Sequence, residues 1–206
     1  MEALSRPDGS PPQRNATAEA FLDAAERLLV EVGHAGITTR RLAAEAGANQ
    51  GLVHYYFGSI DELFVQVLER FTERLVARQR EMYAADVPFI EKWRSAWRFQ
   101  EEDLEAGYSK IWMELQALSW NHPGLRPRVE RVNAEWRAVL REAYGRAASE
   151  YGLEDEFPTE ALVALTMTFG QGFALERLEG IDEGHGELLD WIERWLQSLE
   201  ARGRTT

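Results

Sequence analysis

The chain has 206 residues and no cysteine, which excludes disulfides and thiolate metal ligation and fits a reducing compartment. No apolar run reaches the roughly 18 residues needed to span a bilayer, so no membrane partner is expected. Positive charge is scarce. Lys and Arg number 23 against 35 Asp and Glu, a formal net charge of −12, and so acidic a chain does not coat nucleic acid indiscriminately. The four histidines (His34, His54, His122 and His185) are scattered rather than set at metal-ligand spacing. There is no glycine-rich phosphate loop and no nucleophile elbow, and acidic pairs on helix faces are too common to signal acid–base chemistry. The expectation is a non-enzyme with no cofactor and no metal. At 45% hydrophobic and 28% charged residues the composition is that of a soluble globular protein, placed in the cytoplasm.

Helical periodicity dominates, and no segment alternates as a strand would. Phe21, Ala24, Ala25, Leu28, Leu29 and Val32 keep i, i+3/i+4 spacing, and Gly33 ends that helix. A short helix starts after Thr38 or Thr39 and stops at Gly47; a third runs from about Asn49 to Tyr55. Gly58 breaks the chain, and Ser59-Ile60-Asp61-Glu62 forms a capping box for a fourth helix ending near Arg80. Further helices are expected at about 88–105, 108–120, 124–150, 158–179 and 186–201. The fold class is therefore all-α, with about nine helices: an N-terminal three-helix unit carrying a helix-turn-helix, then a larger C-terminal bundle. Residues 1–14 read as a disordered leader without signal-peptide character, 15–58 as a DNA-binding domain, and 59–206 as a ligand-binding and dimerisation domain.

Two short helices meeting at a glycine are what a helix-turn-helix requires, because one must cross the phosphate backbone while the other lies in the major groove. Ala43, Ala46 and Gly47 supply small contacts; Leu42, Leu52 and Val53 supply an apolar seam. Thr38, Thr39, Arg40, Asn49, Gln50, His54 and Tyr55 are left pointing outward. Between Gly36 and Gly58 the charged residues are Arg40, Arg41 and Glu45, so this stretch is mildly basic within an acidic chain. Hydroxyls, arginines and free helix-start N–H groups suit phosphates, and Asn and Gln amides suit adenine edges.

The segment resembles the DNA-binding domain of the TetR family. The resemblance runs through Ala24-Ala25, Gly33, Thr38-Thr39, Leu42-Ala43, Ala46-Gly47, Gly51, Val53, Tyr55-Tyr56-Phe57, Ser59, Glu62 and Leu63, over about residues 17–65. It implies that Gln50 and Gly51 face bases, with Arg41 or Asn49 as additional readers. It implies phosphate contacts from Thr39, His54, Tyr55 and Tyr56, whereas Phe57 is expected to plug the core. Three positions depart from the usual pattern: Asn49 where Ser is common, His54 for Tyr, and Ile60 for Lys. The last two lighten the expected electrostatic grip, and Arg14 in the leader is a candidate to compensate.

All seven tryptophans lie beyond residue 90. Phe89, Trp93, Trp97, Trp112, Met113, Gln116, Trp120, Met167, Phe169 and Phe173 are candidates for a pocket that takes a hydrophobic or aromatic small molecule, with adaptable methionines in its wall. Glu114 is a candidate for selecting a cation, though a neutral ligand is the first expectation. The two last long helices carry Leu162, Leu165, Phe169, Leu188, Trp191, Ile192 and Trp195 and are expected to form a homodimer, as the resemblance implies. The expected function is a repressor released from a palindromic double-stranded DNA operator by a small-molecule effector that tilts the fourth helix. The alternative is a helical protein-binding adaptor with a vestigial DNA-binding domain.

Overall fold

Among residues 16–203, which this computed structural model describes, every regular element is helical. The leader expected over 1–14, with Arg14, lies outside them. The described residues divide into two units, one ending at Gln66 and one beginning at Val67, so residues 59–66 go with the first unit rather than the second.

In the first unit, α1 (Ala16–Val32) is followed by a 3-10 turn (His34–Gly36), α2 (Thr39–Glu45), α3 (Gly51–Phe57) and the first two turns of α4 (Ile60–Ala84). Local chemistry sets these boundaries. Thr38 caps α2, its Oγ1 accepting the Arg41 N–H at 3.1 Å, and Ser59 caps α4 by accepting the Glu62 N–H at 3.1 Å. The turn from α2 to α3 pivots on Gly47, at φ +63°, a left-handed conformation that a side chain would strain. The start of α3 differs from the expected Asn49, because the Asn49 side chain accepts the Gly51 N–H at 2.9 Å and so stands outside the helix. Phe21, Leu22, Ala24, Ala25, Leu29, Leu42, Val53 and Leu63 are fully enclosed. Phe57 joins them, edge-on to Phe21 with ring centroids 6.2 Å apart.

The second unit holds the rest of α4, then α5 (Phe89–Glu105), α6 (Tyr108–Asn121), α7 (Arg126–Tyr151), α8 (Thr159–Leu178) and α9 (His185–Gly203). α4 continues past the expected Arg80, since Tyr83 packs with Val76, Val139, Leu140, Ala143 and Val163 in one core cluster. A second cluster joins Ile90 of α5 to Leu196 and Leu199 of α9. Ion pairs tie the helices at their margins. Arg78 of α4 grips Asp103 of α5 in a fork, at 2.7 and 2.6 Å to the two oxygens, and Arg128 of α7 meets Glu69 of α4 at 2.8 Å.

Candidate nucleic-acid interface and ligand cavity

The outward face of α2 and α3 is polar. Thr38, Arg40 and Arg41 of the α2 start are exposed, as are Asn49, Gln50, Gly51, His54 and Tyr55, while Thr39 and Tyr56 are half-buried. The one acid of the stretch, Glu45, is paired with Arg27 of α1 at 2.9 Å, which leaves Arg40 and Arg41 as the uncompensated charge of this surface. Tyr55 is 78% exposed, an unusual placement for an aromatic ring, and touches Tyr56 edge-on at 5.0 Å.

Two of these residues have duties within the fold that narrow what they can offer DNA. The Asn49 side-chain oxygen Oδ1 accepts the Gly51 N–H, so its amide cannot at the same time pair with adenine through both atoms. His54 Nδ1 lies 2.9 Å from the Gly58 carbonyl oxygen. A carbonyl only accepts, so Nδ1 carries the proton and the neutral ring turns Nε2 outward as an acceptor. A phosphate oxygen also only accepts. The expected phosphate contact at His54 therefore requires the doubly protonated ring.

The second unit encloses a cavity of about 670 Å³ lined from α4 to α9. Phe89, Trp93, Trp97, Trp112, Met113, Met167 and Phe169 line it as expected. Gln116, Trp120 and Phe173 do not. Trp120 sits one residue before the end of α6 and is 77% exposed; Phe173 is buried behind the wall, 4.8 Å from the Trp97 ring; Gln116 is half-buried outside the wall. Glu114, weighed as a cation selector, is also outside the wall. The sequence reading did not single out the lining residues of α4 (Phe71, Leu75, Gln79, Tyr83) or of α7 (Trp136, Val139, Leu140, Tyr144).

The residues expected at a dimer interface have a second position. Leu162, Leu165, Phe169, Leu188, Trp191, Ile192 and Trp195 all line the cavity, yet Leu165 is 65% and Trp191 58% exposed. Leu165, Leu188 and Trp191 thus both line the cavity and meet solvent. With Leu175, Leu178 and Ile181 they are exposed apolar side chains on α8, α9 and the loop between them.

Some of the polar groups in the wall are bound to one another. The Tyr144 hydroxyl is 2.9 Å from Thr166 Oγ1, and burial raises the pKa of both Tyr144 and its neighbour Tyr83 above the ordinary phenol range. Two carboxylates take part. Asp103 is held by Arg78, yet burial outweighs that guanidinium and its pKa is raised. Glu200, 9% exposed, accepts the Ile90 N–H at 2.9 Å and the Tyr151 hydroxyl at 3.2 Å. Among the described residues, no lysine, arginine or histidine lines the cavity. No three His, Asp or Glu side chains among those residues come together to hold a metal, and no helix is long and apolar enough to cross a membrane.

Residues 21–67 match the profile of the bacterial regulatory proteins of the tetR family. The match is confined to this N-terminal segment, which is similar to the DNA-binding domain of that family. An HTH-type transcriptional regulator encoded in the dhlA 5′ region of Xanthobacter autotrophicus is 36% identical over 69 residues, which is 34% of this chain and 34% of that protein. The chain thus aligns with about a third of the length of that curated relative. Solved structures extend the likeness of fold to nearly the whole chain. The fatty acid degradation regulator FadR from Bacillus halodurans superposes with a TM-score of 0.73 at 16% identity, covering 89% of this chain and 96% of that one. FadR from Bacillus subtilis, in complex with stearoyl-CoA, gives 0.71 at 12% identity, covering 86% and 96%. A TetR transcription regulator from Haloarcula marismortui gives 0.67 at 19% identity, covering 92% and 93%.

Proposed function

We propose that this chain is a ligand-responsive transcriptional regulator of the TetR family, a homodimeric repressor that leaves a palindromic operator when a hydrophobic or aromatic effector enters the cavity. The observation that carries this reading is the face of α2 and α3. It presents Arg40, Arg41, Gln50 and the 78%-exposed Tyr55 to solvent beside a glycine-pivoted turn. Arg40, Arg41, Thr38, Thr39, Tyr55 and Tyr56 position the domain on phosphates, while Gln50, the Gly51 backbone and the free amide nitrogen of Asn49 meet base edges. The named HTH-type relative supports the DNA-binding half of the reading, and the stearoyl-CoA complex supports a ligand in a bundle of this fold.

The apolar surface on α8 and α9 supports dimerisation, which doubles the length of DNA read. Effector control works through α4, which lines the cavity with Phe71, Leu75, Gln79 and Tyr83 and supplies Leu63 and Phe64 to the core of the first unit. An effector shifts the balance only by its differential affinity for the two states, and a tenfold loss of operator affinity needs about 1.4 kcal/mol of coupling. The test is to sequence genomic fragments retained by the purified protein with and without cell-extracted small molecules. Enrichment of an inverted repeat, lost when extract is added, is the expected result. No retention by a folded dimer at low salt overturns the reading.

A further inference from the structure

His54 is tied to the stop of its own helix from both sides. The Gly58 N–H donates to the His54 carbonyl oxygen at 3.0 Å, and the His54 Nδ1–H donates to the Gly58 carbonyl oxygen at 2.9 Å. Gly58 itself stands at φ +75°, the left-handed residue that ends α3. This reciprocal pair fixes the ring and its tautomer together. Nε2 is then the nitrogen turned away from the helix end, on an exposed residue one turn from Gln50 and beside the exposed Tyr55.

Duplex DNA presents mostly lone pairs to such a nitrogen: phosphate oxygens along each strand, and N7, O6 and O4 in the major groove. A bare Nε2 is an acceptor set against acceptors, whereas with a second proton it is a charged donor. The face has two uncompensated cations, Arg40 and Arg41, so a third changes its charge substantially. The other charged or titratable groups on the elements around the ring are the Arg27–Glu45 pair of α1 and α2, His34 of the 3-10 turn, Tyr55 and Tyr56 of α3, and Asp61 and Glu62 in the first turn of α4. None of them is bonded to the imidazole, whose one partner among the described residues is Gly58. The protein thus offers the second proton no acceptor, and a phosphate does. We infer that this chain takes up a proton at His54 when it binds DNA, so that its grip on the duplex tightens as pH falls through the imidazole range. The sign follows from linkage, because affinity rises toward low pH wherever the complex holds more protons than the free partners. The inference rests on reading the α2–α3 face as the DNA-binding surface.

The test titrates the full-length chain into a labelled random-sequence duplex about 30 base pairs long at low salt, by fluorescence anisotropy at about pH 8 and about pH 6. The wild type should bind at least about threefold more tightly at the lower pH, and its slope of log affinity against log salt should steepen there by about 0.9. His54→Gln cannot take up the proton and should lose most of both changes. His54→Tyr, whose hydroxyl donates at either pH, should be equally flat. No gain in the wild type, or an equal gain in a folded His54→Gln variant, overturns the inference and leaves the DNA-binding face standing. If circular dichroism shows that His54→Gln does not fold, calorimetry of the wild type in two buffers of different ionisation enthalpy decides, and no net proton uptake on binding overturns the inference. No binding of the duplex at either pH overturns the DNA reading itself, and this inference falls with it.

Discussion

The two candidate binding surfaces of this chain are opposites. The α2–α3 face is exposed, polar and cationic, its one acid paired with Arg27. The cavity of the second unit is recessed, aromatic and acidic, with no cation in its wall among the described residues. In an acidic protein this division matters more than the net charge. On the proposed reading, repulsion from the body would suppress misdocked DNA, and two arginines with a row of hydroxyls and amides would serve the docked orientation. The difference teaches that the net charge of the chain describes neither surface.

The largest effect expected from breaking one side alone comes from Phe21→Ala. Phe21 is fully enclosed and packs on Phe57, so its loss should cost the first unit about 3–5 kcal/mol. Chemical denaturation followed by circular dichroism should show an early transition, with the tryptophan fluorescence of the second unit unchanged through it. A tryptophan change in that same early transition would show that the two surfaces do not stand on separate stability. Next is Arg40→Ala with Arg41→Ala. Two phosphate contacts fewer should weaken DNA binding by tenfold or more and flatten the slope of log affinity against log salt by roughly 2. A slope that stays as steep in fluorescence titrations would remove these arginines from the interface.

Tyr55→Phe sharpens the comparison further, since it deletes one hydroxyl from a residue that is 78% exposed. Operator affinity should fall a few-fold, by about 1 kcal/mol, with the melting temperature unchanged. An unchanged gel-shift midpoint would show that the ring serves packing on Tyr56 alone. The smallest effect is in the cavity. Asp103 has its pKa raised, chiefly by burial. A raised acid favours folding most while protonated, so its contribution is full below the ordinary carboxylate pKa and declines as pH rises through the raised value. Denaturation of wild type and Asp103→Asn from about pH 3 to about pH 7 should show wild type losing ground relative to the variant as pH rises. A difference independent of pH would place the carboxyl in ordinary solvent.

The first unit was legible because its punctuation is chemical. Thr38, Gly47, Gly58 and Ser59 each act within a few residues, so a cap or a left-handed turn can be read from the chain itself. The second unit follows the expected helices closely, yet its site was only half legible. Helical spacing shows that Trp191 or Phe169 faces away from the polar side, but not whether it meets a side chain, a void or another molecule. The seven residues assigned to an interface also line the cavity. Trp120 went the other way, into solvent. Glu200 carried no local sign at all; its burial depends on Ile90 and Tyr151, 110 and 49 residues away.

Leu165, Leu188 and Trp191 belong at once to the cavity wall and to the exposed apolar surface of α8 and α9. If two copies meet on that surface, the partner covers residues of the wall, and association and effector uptake become linked equilibria. The apparent affinity for an effector would then vary with how much protein is in the tube. A cell that made more of the regulator would also change the effector dose that silences it.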